Sequence, residues 1–224
     1  MTTTHASDKG TEITCTLAET AHDLAWVYRL RYACYRRKES IDPRSDETFS
    51  DEYDLLPNHF SFLARPKTAE PLATVRISVV RPDLSWVKAP SQRVFGDHPA
   101  FQRIARTSYV EASRLCFGKL ARRDSLLQVV SHLAALADFY QVDWLVACPR
   151  EEHSPIYEKL FGFVQLAEPR QYFGVKFRTS LLGVTREQLQ RYTQGTRCMR
   201  LAVAKALAYL QTRQSFLAGE AAAS

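Results

Sequence analysis

The stretch YVEASRLCF, Tyr109 to Phe117, reads as a β-strand of β-branched, aromatic and small apolar residues, yet it carries Glu111 and Arg114. Charges in a core strand are costly unless they are paired or used. Strand alternation sets Tyr109, Glu111 and Ser113 on one face and Arg114 on the other. Glu111 is then free for proton transfer while Arg114 anchors an acidic loop behind the strand. A bulge, common beside active sites, changes that geometry. Arg76 poses the same question: it interrupts ATVRISVV, and its neighbours Val75 and Ile77 point to the opposite face. Two acids three apart, Asp51 and Asp54, sit in a loop, and Arg31 and Tyr35 sit in the segment before it. Asp also caps turns routinely. An ion-pair network that orders the loop is therefore as good a reading of these groups as direct contact with a substrate. The lone histidines His59 and His153 match no recognisable catalytic arrangement.

Elements are needed to position these groups. EITCTLAE predicts a first strand. From Ala21 to Lys38, Leu24, Val27, Leu30 and Cys34 recur at helical spacing, which puts Arg31 and Tyr35 on a helix. IDPRSDETFSDEYDLLPN is a loop, and HFSFLARP and PLATVRISVVRP are strands joined at KTAE. Residues 83–107 are loop with short helix. Ser125 to Gln141 carries a long apolar stripe and is a helix, capped by Asp124 or Ser125. VDWLVACP is nearly continuous in apolar residues and belongs in the sheet centre. SPIYEKLFGF is a short helix closed by Gly162, FGVKFRTSLLGV ends the sheet, and Thr185 onward is basic and helical. Strands first, then alternating strands and helices, give a mixed α/β sheet with crossover helices.

Composition bounds the rest. The 224 residues are 46% apolar and 24% charged, as in a globular protein with a sizeable core. No segment has the length of a membrane span and the polar N-terminus lacks a signal-peptide core. Five scattered cysteines, with no zinc spacing, read as reduced thiols of a cytoplasmic protein, and no metal is implied. The net charge of +6 is uneven: residues 1–60 carry seven basic and eleven acidic groups, residues 61–150 thirteen and seven. Such a basic half attracts acidic partners or is merely a solvated surface.

The order strand, helix, strand, helix from Tyr109 to Phe163, with Tyr157, Gly162 and Phe163 at its end, resembles the core of the GNAT acyltransferase fold. The ordered fragments RLRYACYRRKE, FSDEYD, NHF, ATVRIS and EASRLCF resemble the long-chain N-acyl amino acid synthases of the N-acyltyrosine synthase type, relatives of the acyl-homoserine lactone (autoinducer) synthases. The resemblance runs from about residue 29 to Val184. It implies a mixed central sheet with a splayed strand pair and flanking helices over residues 1–184, and a basic helical C-terminal extension over 185–224. It also implies transfer of a long-chain acyl group from an acyl-phosphopantetheine thioester, on an acyl carrier protein or CoA, to a free amino acid. No permanently bound cofactor and no nucleic acid are involved.

By the same resemblance Arg31, Tyr35, Asp51, Asp54, Arg76 and Arg114 form the polar substrate site. The family's aromatic between helix and acids has no clear counterpart; Ile41 or Phe49 stands in. Glu111 is the candidate general base, because an ammonium must lose a proton before attacking a thioester. Backbone N–H groups near Leu115, Cys116 and Phe117 would stabilise the oxyanion. Tyr157 either protonates the leaving thiolate or simply packs. CoA-dependent members carry a Gly-rich phosphate loop. Here the loop GKLARRDS offers Lys119, Arg122 and Arg123 ahead of Ser125, which suits a carrier-bound phosphate met by side-chain charge, or an ordinary basic surface. Residues 198–217, with Met199, Leu201, Val203, Leu207, Leu210, Phe216 and Leu217, either shield the acyl chain or only cover the core. The rivals are an acetyl-CoA-dependent N-acetyltransferase on the same fold and a non-catalytic module that binds an acyl carrier or nucleic acid.

Overall fold

The chain's computed structural model describes residues 12–67, 69–83 and 88–213. A seven-stranded sheet runs through it in the order β1 (Ile13–Leu17), β2 (His59–Pro66), β3 (Ala73–Val80), β4 (Tyr109–Phe117), β5 (Trp144–Ala147), β7 (Arg178–Thr185), β6 (Val164–Gln171). Neighbours are antiparallel except β4 and β5. A parallel pair needs a crossover, and the helix α4 (Arg123–Phe139) supplies it. Its apolar stripe, including Val129, Leu133 and Leu136, packs on β1 to β4. The cap of α4 falls on Arg122; Ser125 instead closes the first turn, its hydroxyl accepting from Arg122 N at 3.2 Å.

The β4–β5 pairing covers only Tyr109–Ala112 against Trp144–Ala147. Beyond Ala112, β4 runs on for five residues with no β5 partner, and this is the splayed pair. On its other side β4 carries a bulge against β3: Arg76 faces Ser113 and Thr74 faces Cys116, so three steps on β4 match two on β3. Arg114 sits in that bulge at φ 53°, a left-handed conformation uncommon for a residue with a side chain. The bulge puts Ser113 and Arg114 on the same face as Glu111, so strict alternation fails here. Arg114 does not lie behind the strand.

Helix α1 (Ala21–Arg37) is capped by Thr20 and buries Val27, Arg31 and Cys34, a stripe that turns Arg31 inward. Two short helices, α2 (Pro90–Phe95) and α3 (Pro99–Ile104), precede β4. Helix α5 (Ser154–Phe161) ends at Gly162, φ 68°, where a Cβ would meet the Tyr192 ring at 2.8 Å. Glycine is required there on both counts. Strand β6 is absent from the sequence reading: VQLAEPRQ has neither alternation nor a proline-free run, and it survives only as an irregular edge.

Helices α6 (Arg186–Gln194) and α7 (Arg197–Thr212) follow β7. Ala202, Ala206 and Leu210 of α7 are buried, and α7 packs chiefly on α4. Tyr209 Oη accepts from Leu17 N of β1 at 3.0 Å. Phe216 and Leu217 lie outside the described residues. Among the described residues no helix is long and apolar enough to cross a membrane.

Candidate active site

One face of the sheet gathers the charged residues. Asp51 and Asp54 cap a single turn reciprocally: Asp51 accepts from Tyr53 N at 3.0 Å, and Asp54 accepts from Asp51 N at 3.0 Å. Their remaining capacity goes to three buried arginines. Asp51 takes Arg76 at 2.5 and 3.3 Å and Arg114 at 2.6 and 3.1 Å. Asp54 takes Arg31 at 2.8 Å and Arg76 at 3.1 Å. Arg31 also donates to Ser61 at 2.9 Å, and Arg76 to Ser113 at 3.1 Å. Turn cap and ion pair are therefore both true of the two acids. Burial works to raise the Asp51 carboxyl, but Arg76 and Arg114 outweigh it and hold it well below the usual carboxylate range. Asp54 is lowered in the same way by Arg31 and Arg76.

Arg114 is also wrapped in aromatic rings. Its guanidinium lies 4.6 Å from the Phe49 ring centroid and 5.6 Å from those of Tyr35 and Tyr172. Phe49, tilted at 49° with its ring centroid 4.8 Å from that of Tyr35, thus stands between the helix and the acids. Buried Ile41 joins the same cluster without touching the charges through a ring. Sequence does not single out Tyr53, Tyr172 or Phe173: Tyr172 and Phe173 lie in the turn between β6 and β7, and β7 begins at Arg178 and not at Phe173 as FGVKFRTSLLGV suggests.

Glu111 lies on this face and is fully buried. Its carboxylate accepts from Ser91 N at 3.0 and 3.2 Å and from the Ser91 hydroxyl. Burial pushes it up to about 7, with the Ser91 hydrogen bonds and Arg76 pulling the other way. A carboxyl group balanced near neutral pH is suited to take a proton from an amine and release it again. Ser91 is a further residue missed from sequence; the only local signal is the Pro90 that opens α2.

The opposite face holds an apolar cavity between the sheet and helices α4 to α6. Val75, Ala112, Leu115, Leu133, Tyr157 and Leu189 are among the residues that line it. Leu115 and Tyr157, both expected near the donor, meet here. The Cys116 side chain does not: it turns toward Cys34 of α1. The Phe117 carbonyl accepts from Cys34 Sγ at 3.1 Å and Arg37 at 2.8 Å. Lys119, Arg122 and Arg123 are exposed at the entrance to α4, while Ser125 is buried in its turn. The cavity wall on the C-terminal side comes from Leu189 of α6, and no α7 residue lines it. Burial raises the Tyr157 phenol, and its ring packs edge-on to Phe161 and Phe163.

A sheet splayed between its parallel strands, with a buried carboxylate on one face and an apolar cavity on the other, is the GNAT-like acyltransferase architecture. Solved structures share the fold. That of FeeM, an N-acyl amino acid synthase from uncultured soil microbes, has TM-score 0.65 at 13% identity, over 81% of this chain and 94% of that one. The acyl-homoserine lactone synthase LasI has TM-score 0.58 at 17% identity, over 79% and 91%. The CoA-dependent acyl-homoserine lactone synthase BjaI, with SAM and isopentyl-CoA, has TM-score 0.57 at 21% identity, over 88% and 99%. No curated protein sequence matches the chain. The family description "N-acyl amino acid synthase FeeM" matches residues 26–185. The chain belongs to this N-acyl amino acid synthase family and is an N-acyltransferase.

Proposed function

We propose that the protein moves a long-chain acyl group from a phosphopantetheine thioester, carried by an acyl carrier protein, to the amine of a free amino acid. One observation carries this reading: Glu111 on one face and the apolar cavity on the other meet at the end of the β4–β5 pairing. A thioester arm lying in the gap points its chain into the cavity and its carbonyl toward Glu111. The amine nitrogen attacks that carbonyl. The C–N bond forms, the C–S bond breaks, the ammonium proton passes to Glu111 and the thiolate leaves to be protonated. β4 N–H groups near Leu115 to Phe117, beyond the last β5 pair, are the candidates to hold the oxyanion. Tyr157 serves as cavity wall, and its phenol faces the leaving group as the candidate proton donor.

The ion-pair network acts one step back. Arg31, Arg76, Asp51 and Asp54 fix the turn that carries Tyr53, and Asp51 with Tyr35 and Phe49 fixes Arg114. Three guanidinium groups against two carboxylates leave one positive charge in excess beside Glu111, which favours its ionised form when the ammonium arrives. For the donor, Lys119, Arg122 and Arg123 replace a Gly-rich loop, which favours an acidic carrier protein over CoA. The test is to offer carrier-bound and CoA-bound acyl donors of several chain lengths with a mixture of amino acids and read products by mass spectrometry. Saturable transfer from long-chain carrier donors is expected. Transfer from acetyl-CoA alone would replace this reading with that of an N-acetyltransferase, and no transfer from any donor would remove it.

A further inference from the structure

Ser91 is completely buried between the sheet and the segment that leads into α2. Its amide lies 3.0 Å from Glu111 Oε2 and 3.2 Å from Oε1, and its hydroxyl donates to Oε2. Oε2 is thus doubly held, while Oε1 has one long contact and keeps lone-pair capacity. Among the described residues before Ser91, the Lys88 carbonyl ties the segment to the sheet. Lys88 O accepts from His59 Nε2 at 2.8 Å and from Asn58 Nδ2 at 3.0 Å. Asn58 Nδ2 also donates to Val79 O at 3.1 Å, which anchors the clasp to β3. A carbonyl only accepts, so His59 carries its proton on Nε2, and Nδ1 accepts from the Ser78 hydroxyl at 2.8 Å. His59, Ser78 and Glu111 are register neighbours across β2, β3 and β4.

We propose that Ser91 is a positioning residue for Glu111: it pins Oε2, leaves Oε1 to receive the proton, and favours the ionised carboxylate. His59 and Asn58 act through the Lys88 carbonyl to hold Ser91 in place. This rests on Glu111 being the base of the proposed transfer. Other groups facing Glu111 do not titrate near neutral pH. Burial raises the Tyr109, Tyr172 and Tyr53 phenols and the Cys148 thiol. Burial and Arg76 push His59 down to about 4, so it is neutral there. Asp51 stays ionised and Arg76 charged on either side of it.

The experiment follows the protonated-carboxyl infrared band of Glu111 against pH in the substrate-free protein, assigned by its loss in Glu111→Gln. Ser91→Ala keeps the amide donor and removes the hydroxyl. Its Glu111 band should titrate about one pH unit higher, as expected for losing one donor to a charged group. Ser91→Cys, nearly the same size and a weaker donor, should shift it in the same direction by less. His59→Ala should also shift it upward, and His59→Gln, which restores an N–H toward Lys88 O, should return it toward the wild-type value. The acidic limb of kcat/KM should move with the band. An unshifted band in both Ser91 variants overturns the proposal. A shifted band in a protein that transfers no acyl group supports the positioning role while removing the acyl-transfer reading on which its catalytic meaning rests.

Discussion

At the scale of single residues, the site separates a carboxylate that titrates near neutral pH from two that do not. Glu111 has almost no competing cation in direct contact, so burial dominates and raises it to about 7. Asp51 and Asp54 are only partly buried, and each touches two guanidinium groups, so charge pairing wins. Glu111→Gln keeps the side-chain shape and removes its basicity; acyl transfer should fall roughly 10²–10⁴-fold with little change in donor binding. Its effect on stability has a defined sign. The fold holds the Glu111 proton more tightly than the unfolded chain does, so wild type loses stability as pH rises from about 4.5 to about 7. The stability of Glu111→Gln relative to wild type, followed by Tm, should climb across that window and level off above it, with a gain of at most roughly 3.5 kcal/mol, since one pH unit is about 1.4 kcal/mol. A flat difference across pH 4 to 8 would show that Glu111 is not perturbed. Asp51→Asn has the opposite consequence. It leaves Arg114 buried without its carboxylate and Arg76 with Asp54 alone, and chemical denaturation at pH 7 should show a loss of about 3–5 kcal/mol.

At the scale of elements, the bulge in β4 and the short β5 do the positioning. The bulge turns Arg114 onto the charged face, and the early end of β5 leaves β4 unpaired on that side beyond Ala112. Leu115, just past the bulge, points to the cavity. Leu115→Trp should fill part of that space and shorten the preferred acyl chain by a few carbons, at about 0.8 kcal/mol for each CH₂ left unburied; rates measured over a donor series check this. The stretch from Gly118 to Arg123 is the element proposed to meet the donor. Arg122→Ala with Arg123→Ala should raise the donor KM and flatten its salt dependence, because exposed attractions are screened within about 10 Å at 0.1 M salt. An unchanged donor KM at low salt would assign those cations to the solvated surface.

At the scale of the whole molecule, α7 belongs to the core. Leu210 and Ala206 are buried in the main apolar cluster, and Tyr209 reaches across to β1. Removing the chain from Thr196 onward would uncover α4 and part of β1. The expected result is loss of cooperative unfolding and of soluble protein, not a folded enzyme with altered chain-length preference. Retention of a sharp thermal transition would show that α7 is dispensable to the core. Acid should unfold the whole protein in two stages. His59, pushed down to about 4 in the fold, costs stability as pH drops below about 6.5. The Asp51–Asp54 network follows below about 4, where the unfolded acids take up protons that the folded ones refuse. Glu111 works against the first stage, so the steeper loss lies below pH 4.

The sequence by itself determined the α/β class, the element order apart from β6, and which charges are out of place in apolar strands. Arg76, Glu111 and Arg114 stand out because they are charges set among apolar strand residues, and that contrast is local; Arg31 stands out only through the family resemblance. Gly162 and the long α4 stripe are legible for the same reason, whereas the α4 cap falls on Arg122 and not on Asp124 or Ser125. Other features follow from tertiary structure alone. A bulge is a mismatch between two strands, so neither β3 nor β4 announces it, and with it goes the face on which Arg114 lies. β6 has no period of its own and exists because β7 offers it an edge. Ser91 is 20 residues from Glu111, and nothing in KAPSQRVF marks it as a partner. The apolar cavity is space left between α4, α5, α6 and the sheet. Its lining and its closure by Leu189 of α6, with α7 taking no part, are decided by how the helices pack, because packing depends on contacts between segments far apart in the chain.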